Sequence, residues 1–506
     1  MTAASLLVKG VLVGGTAVAV HKAVRDAEPK ALTRWGMRHG TANLAAWFAQ
    51  RSGDAYGLLC GEELRAEPYA FYDELRARGD LVPGKVACVT ASYDLCAEVV
   101  RDPAFLSGFP DETLPRPFQA ALEWAREDAV LSPLDRPSML MSNGADHTRF
   151  RRLVSKAFTA RAVAALRVRT EEIAGELLDG LERKRAAGEP VDLVVDYAEQ
   201  LPVWVIAELL GVPTAMREQF LTWMHPIAAL TDLGMGYPAF RRAEASLREL
   251  NAWTLGHLER LRREPGDDLL SRIVAGSEEE RAAGGEGLSE TDLMITTTLM
   301  LGAGFETTVN LISNGAALLM AHPDQAAVLR DDPSVWANAV EEMLRLDSAV
   351  QNTYRYPAQS TVVRGVPVRR GQFIIVLLGA ANRDPAVFPE PGRFDVRRAN
   401  AREHLSFSLG PHFCVGAALA RMEGEVALAR LFERYPDLAL DGAPARRPTR
   451  GLRGYLHMPV ALGSPAILRS DDPSERLRQK YQGNGDQSGS RFSRNESRPS
   501  TASSVM

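Results

Sequence analysis

Cysteine is scarce in this chain, and charge of either sign is not in marked excess. Cys60, Cys88, Cys96 and Cys414 are the only four in 506 residues. They form no C-x-x-C pair and are too sparse for a disulfide framework, which points to a reducing, cytoplasmic compartment. Lys and Arg number 59 against 64 Asp and Glu, a net charge of −5. That leaves no basic footprint for nucleic acid. There is no P-loop, no G-x-G-x-x-G signature and no internal repeat with a period of roughly 20–50 residues. Long apolar runs are missing as well. The one membrane-like stretch, residues 5–20, is interrupted by Lys9 and is shorter than the roughly 20 residues of a spanning helix. No positive residue precedes it, which argues against a secretory signal. His21, Lys22 and Arg25 follow it, so a short membrane contact that leaves the following domain in the cytoplasm is the minor reading. A surface-packed N-terminus is the major one.

What is present is an ordinary globular balance, 45% hydrophobic and 24% charged, in a chain able to bury a core that encloses a cofactor. Residues 1–60 read as an N-terminal extension. Residues 469–506 are Ser-rich and polar and read as a disordered tail. Between them helical patterns dominate. A helix is expected from Pro68 to Arg78, a strand over Lys85–Thr90 and a helix cap at Ser92. Residues 105–140 are rich in Pro, Gly and Ser without a clean period, too long for a plain connector, so a functional loop is expected. Leu166, Ile173, Leu177 and Leu181 mark one apolar helix face. A long helix starts near Ser289, where Ser289 and Asp292 form a capping box, and stops at His322 before Pro323. Short strands follow at Val366–Val368 and Phe373–Leu378. A last helix follows Gly416.

The strongest signal is Phe407-Ser-Leu-Gly-Pro-His-Phe-Cys414-Val-Gly-Ala-Ala-Leu-Ala-Arg421. It puts a cysteine in a tight loop, with Gly410 and Gly416 allowing the turns. A helix begins directly afterwards, and its N-terminal amides favour a thiolate. On the residues alone three other readings stay open. Cys414 could be a buried structural cysteine, a nucleophile with His412 as its base, or one ligand of a zinc site with His404 and His412.

The stretch resembles the haem-binding signature of the cytochrome P-450 family, F-x-x-G-x-[HR]-x-C-x-G-x-x-x-A-R. Phe407, Gly410, His412, Cys414, Gly416, Ala420 and Arg421 match it, and Ser408 stands where glycine is usual. Upstream, Ala303-Gly-Phe-Glu-Thr-Thr308 resembles the family's A-G-x-[DE]-T-[TS] motif, Glu342-Met-Leu-Arg345 its E-x-x-R motif and Pro391-Gly-Arg-Phe394 its P-x-R-F segment. His147 to Arg151 resembles the H-x-x-x-R segment of bacterial members. Arg355 lies where the family places a propionate-binding arginine.

The resemblance implies a mainly α fold with small β-sheets (α+β), in which one haem-enclosing domain spans residues 61–468. It implies thiolate-ligated haem with Cys414 on the iron, an arrangement that favours O–O bond cleavage. Phe407 shields the sulfur. His147, Arg151, Arg355 and His412 meet the propionates, for which an arginine fork is suited. Gly302 and Gly304 open the long helix locally, and Glu306 and Thr307 organise water and relay protons. Hydrogen bonding of Thr307 to its own helix is the plain alternative. Glu342 and Arg345 share a helix face, and Arg393 completes a buried charge triad. The implied activity is a monooxygenase acting on a small apolar organic substrate. No flavin or ferredoxin domain is visible, so electrons come from a ferredoxin or other reductase system. Peroxide-driven turnover, a haem sensor and a haem-free cysteine hydrolase are the competing readings. Phe118, Trp223 and Met224 are candidates for the substrate entrance, with core packing as their default.

Overall fold

The computed structural model describes residues 28–463, apart from 62–66, 159 and 233. The apolar run at 5–20 and the tail at 469–506 lie outside the described residues. The chain is mainly helical, with four small sheets among the described residues. The helices that position the site are, in chain order, α1 (Pro29–Trp35), α2 (Arg116–Ala125), α3 (Gly144–Ala157) and α4 (Gln200–Leu209). They continue with α5 (Arg217–Ala228), α6 (Tyr237–Arg263), α7 (Glu290–Ala321), α8 (Trp336–Leu346) and α9 (Ala417–Arg434).

α7 is the axis of the molecule. Ser289 and Asp292 cap it reciprocally, the Asp292 carboxylate accepting the Ser289 N–H at 2.9 Å and the Ser289 hydroxyl accepting the Asp292 N–H at 3.1 Å. Its apolar residues go almost all round, which is the pattern of a helix buried on every side. It packs on α4, α6 and α9. The α7–α9 contact is close because Gly424 has no side chain: a Cβ there would stand 2.7 Å from Leu311 Cδ2. No helix among the described residues is long and apolar enough to cross a membrane.

The main sheet contains β1 (Ala87–Thr90), β2 (Phe105–Leu106), β3 (Thr353–Pro357) and β4 (Phe373–Val376), in the order β1-β4-β3-β2. β1 runs parallel to β4, with Ala87 opposite Phe373. β3 runs antiparallel to β4, with Arg355 opposite Ile374, and this register buries Arg355.

Two local expectations meet more structure than the sequence suggested. Residues 105–140 contain α2, whose exposed Phe118 and Trp124 hide any apolar stripe. Residues 29–51 are helical, and Trp35 belongs to the main core. There Trp35 Nε1 donates to the Met235 carbonyl at 2.9 Å, Arg34 pairs with Glu244 at 2.6 Å and Arg38 holds Asp111 at 2.7 and 2.8 Å.

Candidate active site

The loop before α9 is shaped by its own backbone. Ser408 N–H donates to Leu405 O at 2.8 Å and Cys414 N–H to Phe407 O at 2.9 Å. Gly410 has φ +68°, and a Cβ on it would lie 2.9 Å from both Arg101 Cα and Val100 O. Only glycine meets both demands. Ser408 also stands in the left-handed region, at φ 58°, and its buried hydroxyl has no partner. The position where the family signature carries glycine is thus one where the backbone asks for it. The Phe407 ring lies 6.4 Å from that of Phe413 and 4.5 Å from the Arg421 guanidinium.

Cys414 opens into a cavity of about 300 Å³, and it is the only one of the four cysteines to do so. One wall is the cysteine loop, including Phe407 and Gly416. The opposite wall is α7, with Ala303, Gly304, Thr307 and Thr308. Burial raises the Cys414 thiol pKa, against the opposing pulls of the Gly416 N–H, Arg151 and Arg421.

Four basic side chains converge on the same cavity: His147 and Arg151 from α3, Arg355 from β3, and His412 from the loop. The two imidazoles lie 4.3 Å apart. Arg151 Nη1 donates to Phe413 O at 2.6 Å, and Arg355 Nη1 to Thr353 Oγ1 at 3.1 Å and Tyr354 O at 2.8 Å. Neither arginine pairs with a carboxylate among the described residues. Burial therefore lowers the pKa of Arg355 to about 10. Burial, Arg355, His147 and Arg151 together take His412 down to about 3. His147 and Arg151 fall for the same first reason. Guanidinia with spare donors and no anion form a receptor for carboxylates.

On α7, Thr307 Oγ1 donates to Ala303 O at 2.7 Å. The helix is unbroken here, so the opening expected at Gly302 and Gly304 is not an interruption of secondary structure. Glu306 is buried and does not line the cavity. Its Oε1 lies 2.8 Å from Arg447 Nε, Arg447 Nη2 pairs with Glu199 at 2.8 Å, and Glu199 lies 3.4 Å from His225. Burial raises the Glu306 pKa, which Glu199 reinforces and Arg447 opposes. The path from half-exposed His225 to Glu306 is continuous, and composition gave no hint of Arg447 or Glu199.

A model of the family described as cytochrome P-450 matches residues 334–446. A Mycobacterium tuberculosis protein named as cytochrome P-450 140 is 43% identical over 436 residues, covering 85% of this chain and 97% of that one. The chain belongs to the cytochrome P-450 family. Another relative, 6-deoxyerythronolide B hydroxylase of Saccharopolyspora erythraea, is 39% identical over 415 residues, 80% of this chain and 98% of its own. Among solved structures, CYP164A2 of Mycobacterium smegmatis superposes with a TM-score of 0.70 at 35% identity, covering 80% of this chain and 99% of that one.

This P-450 is a haem-thiolate monooxygenase that acts on an organic substrate with electrons from redox partners. The cavity fits haem by its donor set. A sulfur stands on one wall, and basic groups without anions stand where two carboxylates need partners. The zinc alternative is excluded among the described residues, where no cluster of three or more metal-ligating side chains exists. His404 is turned away, bonding Glu341 at 3.0 Å.

One expected site residue is misplaced. Glu342 and Arg345 are fully buried and pair at 2.7 and 2.8 Å, but Arg393 does not join them. The chain turns at Glu390, which has φ 48°, and throws the Arg393 side chain outward to an exposed pair with Glu390 at 3.2 Å. Only the Arg393 carbonyl reaches Arg345. The third member is Arg398, whose Nε lies 3.1 Å from Glu342 Oε1. The segment pattern marks only Arg393, and the turn at Glu390 that directs its side chain outward lies just before it. Trp223 and Met224 are core residues and Phe118 is exposed; none lines the cavity. Its wall on that side is Ser107, Met139 and Leu140.

Proposed function

We propose that Cys414 is the proximal ligand of the haem iron, and that Arg151 and Arg355, aided by His147 and His412, hold the propionates. One observation carries this: a single cavity is lined by the thiol of Cys414, by the Ala303–Thr308 turn of α7, and by four basic side chains that pair with no carboxylate among the described residues. Haem supplies dioxygen binding and its reductive cleavage. The chain's residues do the rest. Phe407 covers the sulfur side and keeps water away. Thr307, whose proton is engaged by Ala303 O, offers oxygen lone pairs that fix a water in the cavity. Glu306, beside Thr307 in the sequence and with its pKa raised by burial, is the acid that supplies protons towards that water, and Arg447 holds it in place. The substrate is a small apolar molecule, because apolar surface dominates the wall formed by Met139, Leu140, Ile206 and Leu299. Electrons come from a ferredoxin or other reductase system, and the cytoplasm is the compartment that the cysteine usage favours. The helices of residues 29–60 belong to the same domain, with residues 61–468 as its body.

The test is the ferrous–carbon monoxide spectrum. The native chain gives the red-shifted band of thiolate ligation, and Cys414→Ser abolishes it. Survival of the band in that variant refutes the ligand assignment.

A further inference from the structure

The first helices of the described chain turn a face outward that no other described element covers. Residues 29–51 run without a break as α1, a π turn (Gly36–Gly40) and the helix Thr41–Arg51. Their inner side is fixed, because Arg34, Trp35 and Arg38 bond Glu244, Met235 and Asp111. On the helix Thr41–Arg51 only Ala49 is buried. Thr41, Leu44, Phe48 and Arg51 recur at intervals of three and four residues and so share one face. All four are exposed, Leu44 by 48% and Phe48 by 55%. A single exposed apolar side chain is ordinary, but two large ones on successive turns of one face form a patch. Beside them the Arg51 guanidinium lies 4.3 Å from the Trp47 ring.

Charge singles out the same end of the chain. Up to Gly53 the sequence has seven Lys and Arg against two acids, Asp26 and Glu28, a net charge of +5 in a chain whose total is −5. The remaining residues therefore carry −10. No acid occurs from Pro29 to Gly53. Lys30 and Arg51 have no acidic partner among the described residues; Lys30 Nζ instead lies 6.0 Å from the ring of Trp124, itself exposed. Apolar and cationic groups together are what an anionic bilayer attracts: the cations meet the headgroups and the apolar and indole side chains enter the boundary below them. Upstream, the apolar run at residues 5–20 is followed by His21, Lys22 and Arg25, a second segment of the same chemistry. Two such signals are what stable attachment takes.

We propose that the helix Thr41–Arg51 docks on the surface of an anionic lipid bilayer, with Leu44, Trp47 and Phe48 entering the headgroup boundary and Arg51 meeting lipid phosphates. The residues up to Arg25 supply the second attachment. The described helix lies on the bilayer and does not cross it, being too short and too polar to span. This docking does not depend on the haem reading.

Flotation of the full-length holoenzyme with vesicles tests it. The native chain should rise with vesicles of phosphatidylcholine and phosphatidylglycerol and stay behind with phosphatidylcholine alone, and added salt should release it. Replacing Leu44 and Phe48 together by Gln should lower the vesicle partition constant about tenfold or more, since each contributes about half of a large apolar side chain. Arg51→Glu should lower it about fivefold or more at low salt. Circular dichroism and the ferrous–carbon monoxide spectrum of these variants should match the native chain, because the replaced side chains face water; Phe48→Gln alone replaces the double variant if the latter does not fold. A native chain that does not float with the anionic vesicles overturns the proposal. Equal flotation of the native chain and the double variant also overturns it, leaving attachment to residues 1–25 alone. A dimer in solution that the double variant splits gives the face to a second copy and overturns it as well.

Discussion

Replacing Glu342 by Gln tests how the core below the cavity is held. Glu342 Oε2 accepts from Arg345 Nε at 2.7 Å, and Oε1 accepts from Arg345 Nη2 at 2.8 Å, Arg398 Nε at 3.1 Å and Asp395 N at 3.1 Å. Both members of the Glu342–Arg345 pair have no exposed side-chain surface. Removing the negative charge leaves Arg345 facing only carbonyls, those of Asn382, Pro391 and Arg393. Stranding one buried partner costs about 3–5 kcal/mol, against a total stability of about 5–15 kcal/mol for a typical protein. Arg398→Ala leaves the inner pair intact, so it should cost less, about 1–3 kcal/mol for its lost charge-assisted bonds. Arg393→Ala removes only an exposed pair, worth under about 1 kcal/mol. Urea unfolding of the three variants, followed by circular dichroism, gives the ranking Glu342 above Arg398 above Arg393. A loss below about 1 kcal/mol for Glu342→Gln, or equal losses for Arg393 and Arg398, would sink the argument.

Ser408→Gly should raise stability by about 1 kcal/mol, because it relieves a left-handed backbone at a non-glycine residue; a lower urea midpoint than the native chain contradicts this. Thr307→Ala should leave haem content unchanged but divert electrons into released hydrogen peroxide. The product formed per reduced pyridine nucleotide measures that, and an unchanged yield removes Thr307 from the relay. Arg355→Ala should weaken haem retention more than Arg151→Ala, since Arg355 is almost wholly buried while Arg151 is half-buried. Transfer of haem to apomyoglobin at increasing pH ranks them, and the reverse order refutes it.

The long helix and its cap were legible because Ser289, Asp292 and Pro323 act locally. The cysteine loop was legible because two glycines, a histidine and an arginine have fixed spacings around Cys414. The Arg393 error shows the limit: which of two arginines turns inward depends on a positive-φ turn at Glu390, and on where Glu342 waits across the core. Arg447 and Glu199 were invisible for a related reason. They reach Glu306 from distant parts of the chain, and neither carries a local pattern. Helix α2 was missed because its ring side chains face water.

The parallel pairing of β1 with β4 has a consequence for how the polypeptide is made. Ala87 emerges from the ribosome long before Phe373, its partner, and Arg355, opposite Ile374, arrives only shortly before. The edge that carries this arginine is therefore finished late in synthesis, after α7 is already out. Closing contacts so distant along a chain is slow, so nascent protein spends time with α7 present and its sheet still open. Haem supplied during translation would meet a half-built receptor, and a chain interrupted before residue 373 would lack β4, the strand that joins β1 to the strand carrying Arg355.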